Sequence, residues 1–273
     1  MTSEKRNGMQ KIAFFDIDGT LTSEVDGSIP DSVVIAIRRA RANGHLMFIN
    51  TGRCFQNVEQ RFKSIGFDGY VAGCGTNIYY QEQELFHKGQ SHEVTLEIVE
   101  TARRLNVDVV FESREEVVFD SSRKLVSPNA KRLYYTFCDK HYDMSHEVTA
   151  EDFTCDKFVA WFQEDSQMEK FIEVSDRYFD CIDRGVRFRE FVPKGYSKAT
   201  GIRFLLEHFH LPLEQAYAFG DSNNDLPMLK FVPHSVVMGN AEDQKLLEIA
   251  DYVTDKASQD GIAKALEHLG FLD

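Results

Sequence analysis

Two aspartates, one residue apart, directly follow an apolar run near the start of the chain. The run Ile12–Phe15 is followed by Asp16, and Asp18 and Gly19 follow Ile17. A short apolar run bounded by turn residues predicts a buried strand, and the carboxyl ends of strands line the ligand crevice in open α/β sheets. Two carboxylates this close repel each other unless a cation or a proton lies between them. The pair therefore predicts a site that requires a positively charged partner.

Three later segments carry polar groups suited to the same chemistry. They are Thr51-Gly52-Arg53, Ser197-Lys198 and Gly220-Asp221-Ser222-Asn223-Asn224-Asp225. Phosphoryl transfer needs a nucleophile, an acid for the leaving oxygen and cationic groups around the phosphoryl oxygens. A threonine hydroxyl, a glycine N–H and a lysine ammonium can all contact a phosphate. A Ser-Lys pair alone is typical of a solvated surface. Only the occurrence of this pair together with the other segments indicates a phosphoryl-transfer site.

Asp221 adds a third carboxylate from another predicted strand end. Three hard oxygen donors with few histidines nearby suit Mg²⁺, which also keeps waters and substrate phosphate oxygens as ligands. An EF-hand calcium loop does not fit. Counted from Asp221, its glycine position holds Leu226 and its final glutamate position holds Val232. The donor set therefore predicts Mg²⁺ as the cofactor.

In motif identity and motif order the chain resembles the haloacid dehalogenase (HAD) superfamily of hydrolases, specifically the Cof-type phosphatases with a large α/β cap. The resemblance rests on DxDGT at 16–20, TGR at 51–53, the lysine at 198 and GDSxND at 220–225, and it spans essentially the whole chain. It implies that Asp16 is the nucleophile of an aspartyl-phosphate mechanism. It also implies that Asp18 protonates the leaving alcohol and then deprotonates the attacking water.

The same resemblance implies the residues that bind the phosphate and the metal. The phosphate-binding residues would be Ile17, Thr51, Gly52, Lys198 and Asn224. The Mg²⁺ ligands would be Asp16, the backbone carbonyl of Asp18, and Asp221. Asp225 is expected to orient Lys198 rather than to bind the metal, and Gly19 and Thr20 to shape the turn. For Arg53 a phosphate clamp and a structural role remain equally open.

The elements that position these segments follow from the apolar periodicity. From residue 11 to residue 72 the pattern alternates strand and helix, including a helix from about Phe55 to Ile65, and this rhythm resumes at Ser197. Such alternation predicts right-handed parallel crossovers. Between the two parts, paired strands mixed with helices predict antiparallel pairing. We therefore expect an α/β fold: a Rossmann-like doubly wound parallel sheet core at 1–81 and 190–273, interrupted by an inserted α+β cap domain at 82–189.

The insert is expected to close over the site and to contact the leaving group, and in the resembling family this cap sets substrate preference. Cys74-Gly75-Thr76 stands where relatives often have Asn-Gly-Ala, so no particular substrate is carried over. A basic cluster near the end of the insert could meet a second anionic group, but a solvated strand edge is the favoured interpretation. Its members are Arg184, Arg187, Arg189 and Lys194.

Composition and charge exclude several classes of binding partner. A formal net charge of −13 over 273 residues disfavours broad nucleic-acid binding, although it allows a small anionic substrate. The polar segment Met1 to Gln10 lacks the apolar core of a signal peptide, and no stretch reaches the ~18 apolar residues of a membrane span. Five cysteines without a CxxC pattern indicate reduced thiols. We expect a cytoplasmic protein with no nucleic-acid or membrane partner.

The leading hypothesis is a Mg²⁺-dependent phosphatase that acts on a small phosphorylated metabolite, such as a sugar phosphate or a phosphorylated cofactor. Two alternatives remain: a phosphomutase, which returns the phosphoryl group to the substrate, and a retired enzyme that only senses phosphorylated ligands. A receiver-type signalling domain also places Asp, Thr and Lys around Mg²⁺. It fits poorly because of the large insert and the second aspartate, Asp18.

Overall fold

The structure, a computed structural model, describes residues 9–273. Of the segment Met1 to Gln10 considered above, residues 1–8 lie outside the described residues. The described strands are β1 Ile12–Phe15, β2 Leu46–Asn50, β3 Gly69–Ala72, β4 Asn77–Tyr80, β5 Gln83–His87, β6 Val107–Glu112, β7 Val117–Phe119, β8 Lys157–Phe162, β9 Phe179–Asp183, β10 Phe188–Pro193, β11 Ala216–Gly220, β12 His234–Val237 and β13 Tyr252–Val253. The described helices are α1 Asp31–Ala42, α2 Gln60–Lys63, α3 His92–Arg104, α4 Pro128–Asp139, α5 Met168–Ser175, α6 Lys198–Phe209, α7 Leu226–Phe231, α8 Gln244–Ile249 and α9 Gly261–His268. In the range from 9 to 273, no helix combines the length and the hydropathy needed to cross a membrane.

An eight-stranded sheet holds the ends of the motif-bearing strands. Its order is β13-β12-β11-β1-β2-β3-β4-β5; β4 pairs antiparallel with both β3 and β5, and the other neighbours pair parallel. Successive residues of β1 face opposite sides: Phe15 packs in the layer of α1 and α9, and Phe14 in the layer of α6 and α7. Because helices cover both faces, the predicted doubly wound parallel core is confirmed.

A second, five-stranded sheet is antiparallel throughout, in the order β7-β6-β8-β10-β9. One face packs Phe158 and Phe111 against α3 and α5. The other face packs Trp161 and Val110 against α4. This sheet and its helices have the α+β character expected for the insert.

The chain crosses from one sheet to the other in the short segments 88–91 and 194–197. The predicted boundaries differ from these segments, since 81/82 falls in the β4–β5 turn and 189/190 falls inside β10. Strand β5 pairs with β4 in the eight-stranded sheet, and β10 pairs with β8 and β9 in the other. The division into two domains itself stays a prediction.

The predicted helix from Phe55 to Ile65 is wrong. The chain forms a 3₁₀ turn at Phe55–Asn57 and then the single-turn helix α2, because Val58 takes an extended ψ of 104° between them. Two elements of the insert were not predicted. Helix α4 has only a narrow apolar stripe of Ala130, Leu133 and Phe137, of which Ala130 and Phe137 are buried. Strand β9 lies at the sheet edge and is largely exposed, so its sequence shows no apolar run.

Candidate active site

The first aspartate of the motif lies at the carboxyl edge of the eight-stranded sheet, directly after β1. Asp16 is 4% exposed, and its neighbours β2 and β11 lead to the other motif segments. Nζ of the buried Lys198, the first residue of α6, lies 2.5 Å from Oδ1 of Asp16 and 2.6 Å from Oδ1 of Asp225. Three residues from distant parts of the sequence thus form one buried charged group.

Both oxygens of Asp225 are engaged within this group. Oδ1 accepts from Lys198, and Oδ2 accepts the backbone N–H groups of Asp221 and Ser222 at 2.9 and 3.0 Å. Asp225 therefore holds the lysine and shapes the loop that carries Asp221. This geometry agrees with the expected orienting role.

The third carboxylate, Asp221, packs against the loop after β1. Its Oδ1 accepts from the Thr20 hydroxyl at 2.9 Å. Gly19 has φ +81°, and a Cβ atom on it would lie 2.2 Å from Oδ2 of Asp221. Only glycine gives the loop both this conformation and this close approach, so Gly19 and Thr20 shape the turn as expected.

The acidic residues of this edge can hold a cation. Asp16, Asp221 and Asp225 each offer one oxygen within 4.8 Å of the others. Burial, reinforced by neighbouring carboxylates, raises the pKa of Asp16 to about 7 and that of Asp221 to about 8. A dication would relieve this repulsion, and an all-oxygen donor set suits Mg²⁺. Since Asp225 is already engaged, the side chains that fit the metal best are Asp16 and Asp221.

Asp18 is separate from this buried group. Its side chain is 66% exposed and accepts two hydrogen bonds from Arg53, from Nε at 3.0 Å and from the terminal nitrogen at 2.5 Å. In this structure Arg53 therefore pairs with the Asp18 carboxylate, and both roles considered for Arg53, phosphate clamp and structural residue, stay predictions. For Asp18 to donate a proton, this ion pair has to open.

The predicted phosphate-binding residues lie around Asp16. Thr51 follows β2 and is buried, and its Oγ1 accepts the N–H of Arg53 at 3.2 Å. A Cβ atom on Gly52 would lie 3.7 Å from the Asn224 amide nitrogen. The Ser222 hydroxyl donates to the Asn224 amide oxygen at 2.6 Å, which leaves that nitrogen as the donor side. The Ile17 side chain is fully buried, so only its backbone can face a phosphate.

Most of the predicted site residues line a cavity of about 160 Å³ between the two sheets. On one side lie Asp16, Asp18, Thr51, Gly52 and Asn224; on the other lie Glu112, Lys157, Val159, Arg184, Phe188 and Glu190. Of the basic cluster, only Arg184 lines this cavity. The other members pair with acidic residues: Arg187 with Glu164, Arg189 with Asp183 and Lys194 with Asp176.

The sequence from residue 13 to residue 266 matches the model of a protein family described as haloacid dehalogenase-like hydrolase. The chain belongs to this family. The Bacillus subtilis (strain 168) protein YkrA is 29% identical over 265 residues, covering 96% of this chain and 98% of that protein. The 5-amino-6-(5-phospho-D-ribitylamino)uracil phosphatase YitU of the same organism is 24% identical over 92% of this chain and 94% of its own. The solved structure of the HAD subclass IIB sugar phosphatase BT4131 superposes with a TM-score of 0.79 at 26% identity, covering 96% of this chain and 100% of that one.

This haloacid dehalogenase-like hydrolase is a phosphatase, and its cavity contains residues that the sequence analysis missed. Glu112, Lys157 and Glu190 form the wall contributed by the five-stranded sheet. Each lies at the end of, or within, a strand that is otherwise largely apolar. A charged residue in such a strand is the signal that could have identified them, because a buried charge needs a partner.

Proposed function

We propose that this phosphatase hydrolyses phosphate monoesters of small metabolites, such as sugar phosphates or phosphorylated cofactors, with Mg²⁺ and through an aspartyl-phosphate intermediate. The observation that supports the proposal most is the buried Asp16, with Lys198 at 2.5 Å and an Asp221 oxygen within 4.8 Å. The relatives agree in chemistry, since they include a sugar phosphatase and a phosphatase of a ribitylamino-uracil phosphate.

In this proposal Asp16 attacks phosphorus with the oxygen that Lys198 leaves free. Lys198 binds Oδ1, so Oδ2 is the atom presented to the substrate. As the bond from Oδ2 to phosphorus forms, the bond to the leaving oxygen breaks, and Asp18 gives that oxygen its proton. A water then attacks the same phosphorus and passes a proton to Asp18. Inorganic phosphate and the free Asp16 carboxylate result.

The remaining groups bind and orient the phosphoryl oxygens. The Thr51 hydroxyl, the Gly52 N–H, the Asn224 amide and the Lys198 ammonium are donors close to Asp16, and the backbone of Ile17 completes the set. Such donors stabilise charge that develops in the transition state. Mg²⁺, held by Asp16, the Asp18 carbonyl and Asp221, would offset the charge of the carboxylates and the phosphate.

Release of inorganic phosphate from a panel of phosphorylated metabolites, with and without Mg²⁺, tests the proposal. We expect turnover that depends on Mg²⁺, and an Asp221→Asn variant that needs a higher Mg²⁺ concentration. Asp176→Asn, an exposed carboxylate that contacts Lys194 away from the cavity, is the matched control and should behave as wild type. A flat, metal-independent response across the panel would contradict the proposal.

The products of the same assay separate the alternatives raised by the sequence. Isomerised sugar phosphate without free phosphate would identify a phosphomutase, and binding without either product would identify a sensor. The proposal includes a cytoplasmic location and no nucleic-acid or membrane partner, and both rest on the sequence alone.

A further inference from the structure

A buried cluster of charged side chains faces the phosphate-binding loop from the five-stranded sheet. Its centre is Lys157, which is 2% exposed. Nζ lies 2.9 Å from the Gly52 carbonyl oxygen, 3.1 Å from Oε1 of Glu112 and 2.8 Å from Oε1 of Glu190. A lysine ammonium has three N–H donors. All three are used inside the protein, so none is left to bind a substrate.

The ammonium of Lys157 fixes the peptide between Gly52 and Arg53. The carbonyl of this peptide accepts from Lys157, and its N–H donates to Oγ1 of Thr51 at 3.2 Å. Because a trans peptide is planar and its C=O and N–H point in opposite directions, fixing one end fixes the other. Glu112 holds the next residue as well, since its Oε2 accepts the N–H of Cys54 at 3.2 Å.

The hydrogen-bond chain from Lys157 ends at the Thr51 hydroxyl. Its oxygen accepts from Arg53, so its own proton is left for another acceptor. We infer that Lys157 is a positioning residue, which aims the Thr51 hydroxyl at the substrate phosphate through the Gly52–Arg53 peptide. This inference rests on the proposed function, which assigns a phosphate to Thr51, and it adds a group from the opposite sheet that acts without touching the substrate.

The binding of inorganic phosphate in the presence of Mg²⁺, measured by calorimetry, tests this role without requiring turnover. Lys157→Met and Thr51→Val should each weaken phosphate binding about tenfold, the value of one hydrogen bond to a charged group. In the Thr51→Val background, Lys157→Met should change the affinity by less than about twofold, because both changes remove the same contact. Equal losses in both backgrounds, or an unchanged affinity of Lys157→Met, would overturn the inference.

Two further variants separate positioning from a general effect on the structure. Lys140→Met removes another lysine of the insert, which follows α4 and pairs with Glu59 at the start of α2 but does not contact residues 51–54; its phosphate affinity should match the wild type. Lys157→Met leaves the Glu112 carboxylate without its ion-pair partner and Glu190 with Arg184 alone, at 3.7 Å, and can prevent folding. The triple variant Lys157→Met/Glu112→Gln/Glu190→Gln removes those charges too and should show the same loss of phosphate binding; wild-type affinity in this variant would overturn the inference.

Phosphate itself distinguishes failure of this inference from failure of the proposed function. It has no leaving group, so a lysine that bound the leaving group would not affect its affinity. A wild-type protein that binds phosphate through Lys157 and Thr51 but hydrolyses no ester would overturn only the proposed function. A wild-type protein that binds no phosphate would overturn both.

Discussion

Lys198 lies between two carboxylates and sets the charge arrangement of the site. Burial acts to lower the pKa of Lys198, but Asp16 and Asp225 outweigh it and hold that pKa above its ordinary value. The lysine therefore stays charged at neutral pH. Burial, together with repulsion between the carboxylates, raises the pKa of both Asp16 and Asp221.

The pH dependence of stability should reveal this repulsion. Burial, with the Asp16 and Asp225 carboxylates, raises the pKa of Asp221 to about 8 from an ordinary value of 3.8. A raised folded-state pKa gives stability that is complete below the ordinary pKa and is lost as the pH rises through the folded one. The metal-free protein should therefore lose stability between about pH 4 and pH 8.

Mg²⁺ should reverse this loss, because it binds the deprotonated carboxylates. The increase in melting temperature on adding Mg²⁺, relative to EDTA, is expected to grow as the pH rises from about 5.5 to about 8. Circular dichroism melts across this range measure it, and Asp221→Asn should remove most of the trend. An increase that is constant or shrinks with pH would contradict this account of the acidic group.

Among the elements, the loop after β1 carries the tightest steric requirement of the site. In Gly19→Ala the new Cβ would lie 2.2 Å from the Asp221 carboxylate, whereas a Cβ on Gly27 would meet no atom within 4 Å. Both glycines have positive φ, +81° and +69°, so the backbone conformation alone should cost each alanine variant about 1–2 kcal/mol of stability, and the clash with Asp221 adds to this cost in Gly19→Ala.

Only Gly19→Ala should also displace the metal ligand. We expect its apparent Mg²⁺ affinity to fall by at least about tenfold, the equivalent of one lost favourable interaction, while Gly27→Ala keeps the wild-type affinity. The Mg²⁺ dependence of phosphate release measures both. Equal affinities for the two variants would show that the Gly19–Asp221 contact does not shape the site.

The motif segments were predictable from sequence because each joins an apolar strand to a polar loop. Asp16, Thr51, Lys198 and Asp221 all lie where the strand and helix signals place them, and parallel strands bring their carboxyl ends to one edge. The cluster around Lys157 had a weaker signal, a charged residue in each of three largely apolar strands, and nothing in the sequence showed that these residues meet. Its members come from three strands, β6, β8 and β10, and antiparallel pairing between distant segments has no local pattern that sets which side chains meet.

The backbone conformation of Cys74 bears on the departure of Cys74-Gly75-Thr76 from the expected Asn-Gly-Ala. Cys74 takes a left-handed backbone conformation with φ 57°, and its Sγ contacts Oε1 of Glu190 at 3.4 Å. Asparagine adopts this conformation more readily than most residues, so the Asn-Gly-Ala pattern that the resemblance leads us to expect would suit the same turn. Cys74 therefore shapes the turn after β3 and contacts the five-stranded sheet through Glu190.

The whole molecule contains separate apolar cores in its two sheets. Phe158 and Phe171 belong to the core of the five-stranded sheet, and Phe48 and Phe14 to one face of the eight-stranded sheet. Trp161, the only tryptophan of the chain, lies in β8 and stacks on Phe188 at 4.9 Å. Its fluorescence therefore reports on the five-stranded sheet alone.

Matched truncations in the two sheets test whether they unfold as separate domains. Phe158→Ala should destabilise the five-stranded sheet by about 3–5 kcal/mol and lower the denaturant midpoint of Trp161 fluorescence. Phe48→Ala, equally buried, should instead lower the midpoint of the remaining circular dichroism signal. If either variant moves both midpoints together, the chain unfolds as one unit and the predicted domain division is wrong.

The central claim is that Asp16 carries the phosphoryl group during turnover. Asp18→Asn should slow release of that group, because in the proposed mechanism Asp18 activates the water, while an aryl phosphate needs no proton for its leaving group. Mass spectrometry of the acid-quenched Asp18→Asn protein, after mixing with p-nitrophenyl phosphate and Mg²⁺, measures the intermediate directly. The account predicts one phosphoryl group on Asp16, lost with hydroxylamine and absent from Asp16→Asn/Asp18→Asn. Continued hydrolysis with Asp16 unmodified, or the same label in the double variant, would contradict it.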